Sequence, residues 1–285
     1  MIRRYTAHFQ VRSFELDGWR EVPTRVLAAY MEQAAWEASA ALGFTQAKYQ
    51  ELGTAWIVRR LTLARLGPIA YEDALAVDTF ISNIKQVRSN RDYEIRGSDG
   101  QPVAAGRGDW VYIDRARGTP TRIAYDITEA LWPGGATPLV VPPPSAVPVA
   151  QPACTFTMPR RAYRYEADSM GHINNTIYFT WIDEALAATL ADAGLPLTDV
   201  GGPGLRLCGA WYVVDYLRSA LPGDDLTITS RLTGTAPGDV LEWTQEIVRA
   251  DGEVLVRCVS RQQLVGLAES QVTAEGVVAA LTARA

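Results

Sequence analysis

The sequence predicts an α+β protein made of two copies of one unit, each an apolar helix wrapped by an antiparallel sheet. Three observations lead there. First, Phe14-Glu15-Leu16-Asp17-Gly18-Trp19-Arg20-Glu21-Val22 returns as Tyr165-Glu166-Ala167-Asp168-Ser169-Met170-Gly171-His172-Ile173, displaced by the 151 residues between Asp17 and Asp168. The displacement persists downstream, with Tyr30 over Trp181, Met31 over Ile182, Ala34 over Ala185, Gly43 over Gly194 and Asp73 over Asp224, and a fixed displacement over this length marks a repeat. Second, each copy reads as one strand, one long helix and then consecutive strands. Third, neither helix can bury all its apolar residues against anything smaller than a broad curved sheet.

In the first copy, alternation from Tyr5 to Phe14 reads as a strand, followed by a loop over Asp17 to Glu21. A helix is expected from Pro23 to Leu42: proline suits the first turn, Val26, Leu27, Tyr30, Met31, Ala34, Ala35 and Ala38 recur at helical spacing, and Gly43 closes it. Strands follow at Ala55 to Leu66, at Leu75 to Arg88, and as a hairpin from Arg91 to Ile113 turning at Ser98-Asp99-Gly100. The second copy repeats the order, with a strand from Tyr163, a loop from Asp168 to Asn174 and a helix from Asn175 to Ala193. Its later strands are expected at Gly209 to Leu217, Leu226 to Leu232, Leu241 to Arg249 and Val254 to Leu264. The resulting division is 1–132 for the first unit, 133–159 for a proline-rich surface linker, 160–266 for the second unit and 267–285 for an Ala- and Val-rich tail.

Composition narrows the function classes. A net charge of −5 argues against a dedicated nucleic-acid binder, and 48% hydrophobic with 21% charged residues is globular rather than disordered. Cys154, Cys208 and Cys258 are odd in number and lack metal-like or paired spacing, so they read as thiols in a reducing compartment. No apolar run reaches membrane-spanning length and the N-terminus lacks an apolar signal core, so the expectation is a cytoplasmic protein with no membrane and no nucleic-acid partner. No phosphate-cradling glycine loop, zinc spacing or Gly-x-Ser-x-Gly elbow implies a cofactor or metal. Any imidazole chemistry must use His8 or His172, the two histidines of the chain.

Phe9-Gln10-Val11-Arg12-Ser13-Phe14-Glu15 and Gly171-His172-Ile173-Asn174-Asn175-Thr176-Ile177-Tyr178-Phe179-Thr180-Trp181 resemble the acyl-ACP thioesterases of plants and bacteria. Trp56-Ile57-Val58-Arg59-Arg60, Val77-Asp78-Thr79-Phe80 and Arg91-Asp92-Tyr93 look like that family's middle section, in its order and spacing from about Phe9 to Arg218. The resemblance implies a double hotdog fold and hydrolysis of a fatty acyl thioester on acyl carrier protein or on CoA. It also implies a catalytic second unit and a first unit that is chemically silent and forms the acyl-binding cavity.

Four residues are the candidate catalytic set. The Asp168 carboxylate can deprotonate a water or attack the carbonyl itself, although a loop aspartate also caps helices. His172 can polarise the carbonyl, orient the water or protonate the departing thiolate. Asn174 and Asn175 stand where the long helix should begin, where free N–H groups and the dipole can hold an oxyanion or where one of them is simply the N-cap. Asp17 has Glu21 in the histidine position and reads as structural, so one active site per chain is expected. The plant enzymes place asparagine where this chain has Met170, and a glutamate whose nearest match is Ser219, which favours a simpler aspartate-centred scheme. Trp36, Trp56, Trp110, Tyr178, Trp181 and Trp211 are candidates for an acyl tunnel or for plain core. Arg160, Arg161 and Arg164 are candidates for a pantetheine phosphate or an acidic carrier, or are a solvated cluster. The alternatives are a non-catalytic acyl-thioester sensor and a hotdog dehydratase, and the chain is expected as a monomer or homodimer.

Overall fold

The computed structural model describes residues 4–132, 134, 137–139, 146–149, 155–197, 205–266 and 272–284. The chain divides into two compact units, Met1–Pro142 and Pro143–Ala285. Cys154 lies outside the described residues; Cys208 is half-buried, Cys258 is buried, and both are free thiols.

In the first unit β1 (Tyr5–Gln10) leads through a 3-10 turn, Ser13–Glu15, to α1 (Thr24–Ala40) and the short α2 (Gln46–Glu51). Four strands follow: β2 (Thr54–Arg65), β3 (Ala74–Lys85), β4 (Arg88–Arg96) and β5 (Pro102–Asp114). The two-residue β6 (Thr119–Pro120) and α3 (Tyr125–Leu131) complete the unit. The antiparallel order is β1-β3-β4-β5-β2, with β6 on β5. Val26, Leu27, Tyr30, Met31, Ala34 and Ala38 are buried, as their spacing predicts, and α1 packs on β1 and β3. At Gly106 a Cβ would stand 2.8 Å from the Thr62 carbonyl oxygen and 2.9 Å from the Met31 Sδ, so only glycine lets helix and sheet approach so closely there.

In the second unit β7 (Val147–Pro148) and β8 (Phe156–Arg161) both pair with β10, and α4 spans Ile177–Asp192. The antiparallel sheet of β9 (Leu205–Tyr216), β10 (Asp225–Ala236), β11 (Val240–Arg249) and β12 (Val254–Gly266) runs in the order β9-β12-β11-β10. Tyr178, Phe179, Trp181, Ile182, Ala185, Leu186 and Leu190 of α4 are buried. The tail forms α5 (Ala274–Thr282), whose Val277 and Leu281 pack with Leu186, Leu190, Leu232 and Trp243.

Three expectations are corrected. The second unit's first strand is β8, which ends at Arg161 instead of starting at Tyr163; residues Arg164–Glu166 form a 3-10 turn because the Glu166 carboxylate accepts the Tyr163 N–H at 2.7 Å. β8 therefore begins at Phe156, inside the span read as linker. Two short helices, α2 and α3, lie where no helix was expected.

The repeat extends to individual hydrogen bonds. Val11 N–H donates to the Asp73 carbonyl at 3.0 Å and Ala162 N–H to that of Asp224 at 2.9 Å. The Asp73 carboxylate accepts the Ala70 N–H at 2.8 Å, and that of Asp224 accepts the Leu221 N–H at 2.9 Å. Glu15 and Glu166, both buried, close equivalent 3-10 turns. Each is met by the aromatic residue one helix turn or more into the following helix: Tyr30 donates its hydroxyl to Glu15 at 2.6 Å, and Trp181 its indole N–H to Glu166 at 3.0 Å.

Candidate active site

The Asp168 loop is a closed turn. Asp168 N–H donates to the His172 carbonyl at 2.8 Å, Gly171 N–H donates back to the Asp168 carbonyl at 3.0 Å, and Ala167 bridges Ile173. Ile173 N–H is tied to the Ala220 carbonyl at 3.0 Å, fixing the loop to the segment after β9. The first unit has the same turn: Asp17 N–H to Glu21 at 2.8 Å, Arg20 N–H to Asp17 at 3.0 Å, and Val22 N–H to Ile69 at 3.1 Å. The position before the turn closes is left-handed in both, Arg20 at φ 64° and Gly171 at φ 81°. Glycine fills it without strain, whereas arginine pays a steric cost there.

The two aspartates differ in how fully they are used. Asp17 Oδ1 accepts two backbone N–H groups, Trp19 at 2.9 Å and Glu21 at 3.0 Å. Asp168 Oδ1 accepts the Met170 N–H at 2.7 Å, and among the described residues that is its one hydrogen bond. Asp168 thus follows a 3-10 turn instead of closing a strand, and keeps acceptor capacity. It is half-buried, as is His172, whose imidazole makes no hydrogen bond to any described residue. The structure joins these two residues through their backbones.

Asn174 and Asn175 open α4. Asn174 Oδ1 accepts the Thr176 N–H at 2.9 Å and its hydroxyl at 2.6 Å, while the Asn174 carbonyl accepts the Ile177 N–H at 3.0 Å. Asn174 thus closes a local turn onto Thr176, the residue at the N-cap, and because residues 174–176 are held in that turn the helix begins at Ile177 instead of Asn175. The Asn175 carbonyl accepts the Tyr216 hydroxyl at 3.0 Å. Behind the loop, Tyr178 accepts the Ala220 N–H at 2.9 Å. Burial pushes its hydroxyl pKa up to about 12; the Ala220 bond pulls it back, and the negative charges of Asp224 and Asp168 add to the rise.

Other candidates separate. Ser219 is exposed and Met170 half-buried. Arg160 is engaged by Glu166 and lies over the Tyr163 and Trp181 rings, and Arg161 pairs with Asp225 at 2.9 Å, which leaves Arg164 exposed. Tyr178 and Trp181 are core, and Trp211 is buried beneath Arg261. Trp36, Trp56 and Trp110 line a small cavity of the first unit with Ala35, Ile81 and Leu131. Glu166 and Tyr178 brace the loop, a role the sequence did not give them: Tyr178 read as tunnel or core and Glu166 only as part of the repeat, although a glutamate repeated at the same displacement as Glu15 was the available signal. Among the described residues no cluster of three His, Cys, Asp or Glu side chains could hold a metal, and no helix is long and apolar enough to cross a membrane.

Residues 3–131 match the acyl-ACP thioesterase N-terminal domain, and residues 164–277 match the thioesterase-like superfamily. The chloroplastic oleoyl-acyl carrier protein thioesterase 2 of Arabidopsis thaliana is 20% identical over 81% of this chain and 66% of the plant protein, just under two thirds of its length. A Lactobacillus plantarum protein provisionally assigned as an oleoyl thioesterase superposes with a TM-score of 0.77 at 18% identity, over 93% of this chain and 98% of that one. The 12:0-ACP thioesterase of Umbellularia californica gives 0.73 at 15% identity, over 92% and 94%. The chain shares the double hotdog fold of these structures, and its N-terminal half, residues 3–131, is an acyl-ACP thioesterase N-terminal domain by its match to that family.

Proposed function

We propose that the chain hydrolyses fatty acyl thioesters, on acyl carrier protein or CoA, to a free fatty acid and a thiol. Asp168 is the general base: it takes a proton from a water that attacks the thioester carbonyl, and the resulting tetrahedral oxyanion is held at the N-terminus of α4 beside Asn175. As the carbon–sulfur bond breaks, His172 gives a proton to the departing thiolate. Asn174 holds the helix mouth in shape, and the first unit supplies acyl-binding volume in the cavity of Trp36 and Trp56.

The observation that carries this reading is the contrast between the two turns. The same backbone presents an aspartate with its oxygen doubly occupied beside Glu21 in one copy, and a singly bonded aspartate beside a histidine in the other. The test is a panel of acyl-ACP and acyl-CoA substrates followed both for thiol release and for dehydration of the chain. Thiol release supports hydrolysis, binding without turnover supports a sensor, and dehydration with the thioester intact supports a dehydratase.

A further inference from the structure

Two hydroxyls at the mouth of α4 have no counterpart in the first unit. The repeat sets Leu27 opposite Tyr178 and Arg65 opposite Tyr216, each at the same displacement of 151 residues. Both copies share the backbone clamp, Val22 N–H on the Ile69 carbonyl and Ile173 N–H on that of Ala220. The first copy therefore folds this turn without either tyrosine, and the hydroxyls are additions to a frame that stands without them.

What Tyr216 adds is local to the helix mouth. α1 begins at Thr24, the counterpart of Asn175, whereas α4 begins two residues later in the repeat, at Ile177. With that late start Phe179 N–H, the ordinary helical donor for the Asn175 carbonyl, goes to Thr176 at 3.3 Å. The buried Tyr216 takes its place, donating its hydroxyl to the Asn175 carbonyl at 3.0 Å, while Asn174 Oδ1 accepts the Thr176 N–H at 2.9 Å. The planar peptide between Asn175 and Thr176 is thus pinned at both ends. In the first unit Arg65 donates instead to the Val22 carbonyl, the counterpart of Ile173, and not to the helix mouth.

Stabilisation of a developing oxyanion depends on dipoles fixed before the reaction. A carbonyl at the mouth of the helix opposes that stabilisation if it turns its negative end toward the charge. We propose that Tyr216 is a positioning residue for thioester hydrolysis, acting through the Asn175 carbonyl to keep the mouth of α4 set for the tetrahedral oxyanion without itself touching the substrate. The inference rests on the hydrolytic reading above and adds to it a residue that only the second copy carries.

The test compares the full chain with Tyr216→Phe on whichever carrier the wild type turns over. The kcat is expected to fall about tenfold or more, with KM within about twofold. Two inert analogues on that carrier supply a readout that a merely structural tyrosine would not move. One is an S-alkyl thioether, which lacks the carbonyl, and the other a difluoromethylene ketone, whose hydrate mimics the tetrahedral intermediate. Affinity for the ketone is expected to fall in step with kcat/KM, and affinity for the thioether to hold within about twofold. Should Tyr216→Phe not fold, a ring-fluorinated tyrosine at this position keeps the shape and ionises at lower pH. Its turnover is expected to fail, reversibly, at a lower pH than that of wild type, as the donor becomes a phenolate. Unchanged kcat in Tyr216→Phe, equal losses of both analogues, or matching alkaline limbs for tyrosine and fluorotyrosine each overturn the proposal. Thiol release by wild type alongside any of these results leaves hydrolysis standing, whereas its absence removes the hydrolytic reading and this inference with it.

Discussion

Trp181 donates its indole N–H to the Glu166 carboxylate at 3.0 Å, linking the first helical turns of α4 to the 3-10 turn that delivers Asp168. The two side chains are buried, and the same carboxylate also holds the Tyr163 N–H and Arg160. Trp181→Phe removes one donor from this acceptor while keeping an aromatic ring. It should lower stability by about 1–3 kcal/mol, measured by urea unfolding. Glu166→Ala should cost more than Trp181→Phe, because it leaves a backbone N–H and a guanidinium without their acceptor.

Asp168→Asn should abolish at least about 99% of thiol release, within the hundredfold to ten-thousandfold span of general base catalysis. Asparagine keeps an Oδ1 for the Met170 N–H, so the melting temperature should hardly move, and activity and fold are thereby separated. Asp17→Asn should leave turnover within about twofold of wild type by the same logic of a turn-forming oxygen. Equal losses in the two variants would refute a single site.

Alkali should loosen the fold through Tyr178. Its hydroxyl pKa is about 12 in the folded chain against an ordinary 10.0, so the unfolded chain loses this proton first. The stabilisation is complete below pH 10 and disappears as pH rises towards 12, with a slope of about 1.4 kcal/mol per pH unit for this one group. Urea midpoints between pH 9 and 11.5 should therefore fall more steeply for wild type than for Tyr178→Phe. The substitution should also cost about 1–3 kcal/mol at neutral pH by leaving the Ala220 N–H unpaired.

The C-terminal helix is a structural part of the second unit. Leu281→Ala should destabilise by about 2–5 kcal/mol, since this 3% exposed side chain packs in a cluster with Trp243 and Leu190. Thermal unfolding measures the loss, and an unchanged melting temperature would contradict the packing.

Much of the fold was legible because α1 and α4 carry long apolar stripes and a strand such as β10 alternates over ten residues. The short helices α2 and α3 were not, since a helix of six or seven residues spans under two turns and offers little periodicity to read. The proline-rich stretch masked β8: prolines at a strand's edge still permit pairing, and Pro159 sits opposite Thr227 in it. Asp168 and His172 were legible as types of residue at a suggestive spacing. The binding of Asn174 Oδ1 to Thr176 was not, because spacing alone leaves an asparagine's local cap and its use on a ligand equally open. Arg91 illustrates the converse, since β4 buries it on the wall of the first-unit cavity while its chemistry argues for water.

The left-handed residue before each turn closes has a consequence for how the two halves diverged. With the flanking N–H and carbonyl clamps identical at Asp17 and Asp168, the turn behaves as an exchangeable cassette whose side chains can be rewritten without disturbing its frame. Only Arg20 resists the exchange, because its φ of 64° suits a residue lacking Cβ. A grafted copy of Met170-Gly171-His172 would thus relieve conformational tension in the first unit even as it installed an imidazole there.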